Sequence, residues 1–332
     1  MHHASALPVS RRQLLLGAGA TAFASAAGIS GTPATARAPM LGTQAPAFYR
    51  FKIGAFEATV LSDGPILMGE PQSDIFVGMS KEEFAKSLSD NRLPTSNITL
   101  EQNALVLNTG SHLILFDTGT GSDRSFGPNT GRLLINLKAA GYEPGDIDVV
   151  ALTHAHPDHC WGLLADDGSR HFPNAQIYLS EVDLKFWTDE SNGTNDLLRM
   201  FIAGTRKQLL PNRDRIALIK DGQEIVSGVQ AIATPGHTVG HTSFMITSEG
   251  KSFCNIADIA HHHVISVERP QLEMSFDTDG KQGVASRLKL FDMLATDRIP
   301  FVAYHFMWPG IGYVGKQGDG FRYFPAPSQM TL

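Results

Sequence analysis

From residue 48 onward, short apolar runs stopped by turn formers alternate with segments whose apolar residues recur every three to four positions. Tyr49–Lys52 and Phe56–Ser62 read as a hairpin turning at Ile53-Gly54 and stopping at Ser62-Asp63-Gly64; Ala104–Asn108 and His112–Phe116 read as a second, stopping at Asp117-Thr118-Gly119. Asp146–Leu152 (DIDVVAL) is a buried strand by its β-branched content. Gln176–Leu179, Gln230–Thr234, Thr242–Thr247, Lys251–Ile256 and a last strand, Phe301–Tyr304, follow. Helical periodicity marks four segments between them. One, capped by Asn129 or Thr130, carries Leu133, Leu134, Leu137 and Ala140 and stops at Gly141. Ser180 caps a helix over 181–189. A third, about Thr194–Leu209, presents Leu197, Leu198, Phe201 and Ile202, and a fourth spans Val284–Leu294. Residues 65–100 are less regular. Ser80-Lys81-Glu82-Glu83 there is a capping box starting a short helix with Phe84 and Leu88 on one face, and the segment reads as a pocket-covering or dimer-forming arm. Strands, a helix, strands and a helix imply an α/β protein with two sheets between outer helices.

The chemistry gathers where these strands stop. Thr153-His154-Ala155-His156-Pro157-Asp158-His159 puts three imidazoles and a carboxylate in six residues, directly after Asp146–Leu152. In extended backbone His154 and His156 point to one side, and Pro157 suits the first position of a helix, so Asp158 and His159 project from its first turn. Imidazole nitrogen and carboxylate oxygen are the donors divalent zinc prefers. His237 closes Ala233-Thr234-Pro235-Gly236-His237, Asp258 closes Asn255-Ile256-Ala257-Asp258, and His305 follows Phe301–Tyr304. Alone, each of these three would be a satisfied core residue. Together with the first cluster they make five histidines and two aspartates, enough for two metals. His261, three residues beyond Asp258, is expected either to return over the pocket and hydrogen-bond a substrate oxygen or to be a surface histidine in the turn His261-His262-His263.

Composition narrows the setting. Among 332 residues 42% are apolar and 18% charged, the balance of a globular protein with a real core. A formal net charge of −6 gives no basic footprint, which argues against a nucleic-acid partner, and no apolar run is long enough to span a membrane. The exception to globular patterning is the N-terminus. Ser10-Arg11-Arg12-Gln13-Leu14-Leu15-Leu16, a Gly/Ala-rich stretch to Ala27 and the small-x-small Ala34-Thr35-Ala36 resemble a bacterial twin-arginine export signal. The expected division is a signal over 1–36, a linker over 37–47 and a hydrolase domain over 48–332, with the mature protein periplasmic or secreted. Cys160 and Cys254 read as small buried apolar residues, with one disulfide the most they allow.

The order of the HAHPDH cluster, Pro235-Gly236-His237, Asp258 and His305 resembles the metallo-β-lactamase superfamily over residues 48–325. Within it, Phe126–Leu133, Leu137–Tyr142, Pro309–Gly312 and Gly320–Tyr323 are similar to the branch of methyl parathion hydrolase and N-acyl homoserine lactonase-like hydrolases. The resemblance implies an αβ/βα sandwich, two mixed sheets packed face to face with helices outside. It implies two divalent metals, most simply zinc: one held by His154, His156 and His237, the other by Asp158, His159 and His305, with Asp258 bridging. A shared hydroxide would be the nucleophile, with Asp258 and Asp158 the catalytic carboxylates. True β-lactamases usually carry cysteine at the Asp258 position, so antibiotic hydrolysis is not implied. Asp117 and Asp63 are similar in placement to acids that support the ligands, and Phe126, Trp187 and Phe201 align with aromatics lining the pocket; His241, in His237-Thr238-Val239-Gly240-His241, is expected to be structural rather than a ligand. The implied substrates are small, neutral and apolar: lactones, aryl esters or organophosphate triesters. A glyoxalase-II-type thioesterase, iron-based redox chemistry on the same fold, and a non-enzymatic periplasmic metal-binding protein are the alternatives.

Overall fold

The computed structural model describes Met40, residues 47–72 and residues 75–329. The expected export signal over 1–36, and all of the expected 37–47 linker except Met40 and Ala47, lie outside the described residues. The expected two sheets are present, seven strands each. The first runs Phe48–Ile53, Phe56–Ser62, Asn103–Asn108, Leu113–Phe116, Val149–Ala151, Gln176–Ser180, Ile216–Ile219 in spatial order. Its first four strands are antiparallel, and the joins from Leu113–Phe116 onward are parallel. The second runs Glu224–Val226, Val229–Ala233, Thr242–Ser248, Lys251–Ala257, Phe301–Ala303, Ile311–Gln317, Gly320–Pro325. Only the pair Lys251–Ala257 and Phe301–Ala303 is parallel.

Alternation along single strands sets the layers. In Asn103–Asn108, Leu105 and Leu107 face the second sheet beside Phe244 and Ile246, while Ala104 and Val106 face helices Leu133–Ala139 and Asp196–Leu209. Leu113–Phe116 (LILF) divides the same way and is buried throughout, as a strand covered on both faces must be. On the far side of the second sheet, Leu290, Phe291 and Leu294 of helix Gly280–Asp297 pack on Cys254, Ile256 and Phe301. A fourth cluster joins Phe84 and Leu88 of helix Lys81–Asp90 to Val264, Ile265 and Met274. That helix starts at the expected capping box, with Ser80 and Glu83 bonded reciprocally. Cys160 and Cys254 are buried free thiols, not a disulfide.

Four expectations change. The strand expected over Asp146–Leu152 is only Val149–Ala151; Pro144–Asp146 forms a 3₁₀ turn, and the Asp148 carboxylate accepts from Leu113 N–H. Neither Asn129 nor Thr130 caps the following helix, which runs Leu133–Ala139 from Arg132 with no side-chain cap of its own. Its free N–H at Leu133 is taken instead by Asp63, far away in sequence (2.7 Å). Ser180 stands at the N-cap of Glu181–Thr188 without a side-chain bond, and the helix expected over about Thr194–Leu209 runs Asp196–Leu209, capped by Asn195. Phe301–Ala303 is not the last strand, because Ile311–Gln317 and Gly320–Pro325 extend the sheet beyond it.

Candidate metal centre and substrate cleft

Both sheets end their central strands at one place. Val149–Ala151 delivers His154 and His156, and Lys251–Ala257 delivers Asp258. Phe301–Ala303 delivers His305, and Val229–Ala233 delivers His237. Pro157 opens a one-turn helix, Pro157–Cys160, that turns Asp158 and His159 back toward the cluster. The chain is bent into left-handed backbone to make these exits, at Asp117 (φ +64°) and Ala257 (φ +45°). Such conformations in non-glycine residues concentrate at functional sites. Gly236 (φ +133°) does the same before His237, where a Cβ would lie 2.0 Å from Gly283 N.

Asp258 is the hub. Its Oδ2 lies 3.0 Å from Nε2 of His305, 3.4 Å from those of His159 and His237, 3.5 Å from that of His261 and 3.9 Å from that of His154. Asp158 Oδ2 sits 3.4 Å from His305 Nε2 and 3.5 Å from His159 Nε2. Donor atoms fall within 4.8 Å of one another in the sets His154-His156-His237, His154-His159-Asp258 and Asp158-His159-His305. Nε2 of His154, His159 and His237 and Oδ1 of Asp258 are buried without a hydrogen-bond partner among the described residues. A buried polar atom left this way costs about 1–3 kcal/mol. Converging imidazole nitrogens and a carboxylate oxygen are the donor set that divalent zinc takes. The residues fit two divalent cations.

In four of the five histidines of these sets the opposite ring nitrogen is partnered. His159 Nδ1 donates to Asp117 (2.9 Å), His237 Nδ1 to Asp277 (2.9 Å) and His305 Nδ1 to the Glu101 carbonyl (2.8 Å), while His154 Nδ1 lies 3.0 Å from the Thr153 hydroxyl. These bonds fix which nitrogen faces the centre. Burial, then neighbouring imidazoles, holds His154, His156 and His237 neutral, well below the ordinary histidine range, the protonation state a ligand needs. Burial alone would do the same to His159 and His305, but the carboxylates of Asp258 and Asp158 outweigh it and push both up.

The supporting residues divide. Asp117 lies where expected, bonded to His159 and also to the Thr153 amide and hydroxyl. Asp63 does not support a ligand: its carboxylate accepts from Thr120 N–H and hydroxyl and from Gly131 and Leu133 N–H, tying the 120s loop to a helix start. His241 is structural, its Nε2 accepting the Asp258 amide (3.1 Å) and its Nδ1 lying 2.9 Å from the Thr234 hydroxyl. Three residues gave no sequence signal. Asp183, fully buried and pushed up to about 6 by desolvation, accepts the Ala155 and Gly240 amides and so joins the His154–His156 loop to the His237–His241 loop. Tyr304 donates to the Asp158 carbonyl (2.7 Å) with its ring 4.0 Å from that of His159. Asp277 completes the set. Each is a lone polar residue in an ordinary helix, strand end or turn.

Above the centre opens a cleft of about 430 Å³ lined by His156, Asp158, His237, Asp258, His261 and His305 at its floor. Phe126 and Phe201 line it as expected. Trp187 does not: it is fully buried behind His156, ring to ring at 4.9 Å, because its helix turns it into the core. His261 is not a surface residue. It is 2% exposed, faces the cleft, and neither ring nitrogen has a hydrogen-bond partner among the described residues. His262 and His263 face away, under the arm; His262 Nδ1 accepts the Val264 and Ile265 amides. The arm covers the pocket as anticipated, with Ile66, Leu67, Met68 and Leu100 on its wall. A larger hollow of about 930 Å³ between the Gly54 and Gly250 turns and residues 326–329 has no histidine or converging carboxylates. No described helix is long and apolar enough to cross a membrane.

Residues 98–302 match the metallo-beta-lactamase superfamily. An N-acyl homoserine lactonase of Bacillus sp is 32% identical over 118 residues, 36% of this chain and 40% of that protein, so the match spans well under half of this relative. The fold superimposes on AidC, a dizinc quorum-quenching lactonase solved with a product, N-hexnoyl-L-homoserine (TM-score 0.79, 29% identity, 85% of this chain and 98% of that one). It superimposes equally on the hydrolase AbOPH of the beta lactamase superfamily (TM-score 0.80, 30% identity, 86% and 100%).

Proposed function

The chain belongs to the metallo-β-lactamase superfamily, and on that premise we propose that it is an exported dinuclear metal-dependent hydrolase of neutral, apolar lactones. The observation that carries this reading is the convergence of seven histidine and aspartate donors, with unpartnered Nε2 and carboxylate atoms, under an apolar cleft. One ion would be held by His154, His156 and His237, the other by Asp158, His159 and His305, with Asp258 between them. Bound there, the ions would supply Lewis acidity and an acidified water for attack on an ester carbonyl.

The chain's own residues do the rest. Asp117 and the Glu101 carbonyl hold the proton on Nδ1 of His159 and His305, leaving Nε2 free toward the centre. His261, its ring nitrogens unpartnered at the cleft floor, is placed to hydrogen-bond a lactone carbonyl or leaving oxygen. Phe126, Phe201, Leu197 and Met200 strip water from the apolar part of the substrate. Among the described residues no lysine or arginine lines the cleft, which favours a neutral substrate over an anionic one. The lactonase relatives favour lactones first. Aryl esters and organophosphate triesters share the requirement for an oxygen electrophile and a neutral apolar body. The export part of the reading, to the periplasm or outside the cell, rests on the twin-arginine-like start of the sequence.

Metal analysis of the purified mature protein beside a lactone, aryl-ester and phosphotriester panel tests the proposal. The expected result is two zinc equivalents and the highest kcat/KM on lactones. A metal-loaded protein that turns over none of the three classes would overturn it.

A further inference from the structure

The loop between Arg269 and the helix Gly280–Asp297 takes part in both floor and wall of the cleft, in consecutive residues. Phe276 stands on the wall. The next residue, Asp277, is buried (1% side-chain exposure) and places Oδ1 2.9 Å from His237 Nδ1. The two residues after it continue the same seam, with Thr278 N–H donating to the His237 carbonyl and Asp279 N–H to the Gly236 carbonyl, each at 2.9 Å. Behind the loop lies Arg287, itself buried, donating to the carbonyls of Ile259, Pro270 and Leu272 and standing 3.9 Å from Asp277 Oδ2. In front, Ser275 N–H reaches the Ile75 carbonyl and Val77 N–H the Glu273 carbonyl, stitching the loop to the covering arm.

We propose that Asp277 is the positioning residue for the ion held by His154, His156 and His237, and that its loop makes the orientation of His237 depend on the same segment that walls the substrate cleft. The inference rests on the dinuclear reading above. The two ligand triads differ in how they are supported. On the other side, His159 is held by Asp117; on this side, the His154 ring meets only the neutral Thr153 hydroxyl, and Asp277 supplies the one carboxylate bonded to a ring nitrogen of this triad among the described residues. A carboxylate behind a ligating imidazole fixes its tautomer and raises its basicity, and losing such a partner typically weakens metal affinity by about 10–100-fold.

The test measures zinc stoichiometry and zinc Kd by chelator competition in the wild type, Asp277→Ala, Asp277→Asn and Phe276→Ala, with the melting temperature of each protein metal-free and zinc-loaded. The wild type tests the dinuclear reading by itself: two equivalents are required before the variants speak to Asp277. Asp277→Ala should weaken one equivalent by about 10–100-fold and leave the other. Asp277→Asn, which keeps an acceptor but not the charge, should fall between, and guards against a variant that fails to fold. Phe276→Ala should keep both zinc affinities and raise KM. Equal weakening of both equivalents, or equal zinc loss in Phe276→Ala, would reduce Asp277 to loop stability and overturn the assignment. A third wild-type equivalent that disappears with Asp277 would make it a ligand alongside His237 and His261, and would overturn it equally.

Discussion

At the floor of the cleft His154, His159, Asp258 and their neighbours are almost wholly buried, and most of the histidines are tied through the far ring nitrogen to a carboxylate, hydroxyl or carbonyl. At its mouth Leu67, Leu197, Met200 and Phe276 stand 51, 47, 43 and 38% exposed, with no polar partner to fix them. The floor's atoms have one useful arrangement, so most of its rings are held by directional bonds over short distances. The mouth needs only apolar area, which is non-directional and tolerates change in shape. Reaction type should therefore depend on the floor, and choice among neutral substrates on the mouth and on His261, a floor residue neither of whose ring nitrogens has a partner among the described residues.

The largest effect expected is at the hub. Asp258→Ala removes the oxygen on which five imidazoles converge and should cost several kcal/mol of transition-state stabilisation, roughly a thousandfold or more in kcat/KM, with loss of at least one metal equivalent. Retention of full activity with one metal would show that the floor does not act as a pair. Next comes Asp117→Ala, which leaves His159 Nδ1 with only the distant Thr153 hydroxyl and should weaken the ion at Asp158, His159 and His305 by about 10–100-fold. Chelator competition measures it. An unchanged affinity would mean that packing alone orients His159.

The same division governs what the sequence discloses. The floor was legible because its ligands sit at strand ends in a compact motif, and a proline sets the backbone that aims two of them. Asp183 and Asp277 were not, because a carboxylate that acts through a fold-level contact looks the same in one dimension as a helix-surface acid or a turn former. Asp63 shows the converse error: its place after a strand suggested a ligand partner, yet it caps a helix start 70 residues on. The early strands and the helices declared themselves by period. Ile216–Ile219 stayed hidden as a half-exposed edge four residues long, and Ile311–Gln317 because two glycines interrupt its pattern. The mouth was least legible, since Ile66, Met68 and Phe276 come from irregular segments that meet only in the folded chain.

Between floor and mouth, His262 measures how the arm is attached. It is buried beneath the arm, and desolvation with the adjacent His263 pulls its pKa down to about 3. Two backbone amides donating to Nδ1 also require the neutral ring. Because the folded value lies below the unfolded one near 6.5, this group's contribution to stability is fully present above pH 6.5 and is lost as pH falls toward 3. From pH 6.5 to 5 the loss is about 1.6 kcal/mol. Denaturant unfolding of metal-free wild type and His262→Gln over that range should give a stability difference that moves against the wild type by that amount as pH falls. A difference independent of pH would mean that the ring is protonated or solvated in the folded state.

The smallest effect is the one that decides substrate preference. His261 sits among the proposed ligands, its Nε2 3.5 Å from Asp258 where those of His159 and His237 are at 3.4 Å, but it belongs to neither proposed set of three and has no hydrogen bond of its own among the described residues. An imidazole kept unpaired in a buried floor gains a partner when a substrate oxygen arrives, and it narrows the space for a bulky aryl group. His261→Leu removes the donor and leaves an apolar side chain of comparable size. A lactone should then lose the hydrogen bond, worth about 1–3 kcal/mol, while an aryl phosphotriester gains apolar wall. The ratio of phosphotriester to lactone kcat/KM should rise by roughly tenfold or more. Metal content must be matched in the two proteins, because His261 also lies within 4.8 Å of donors in His237 and Asp277. If both substrate classes fall by the same factor at matched metal, His261 acts through the ions and not on the substrate, and the division between floor and mouth would have to be redrawn with His261 among the ligands.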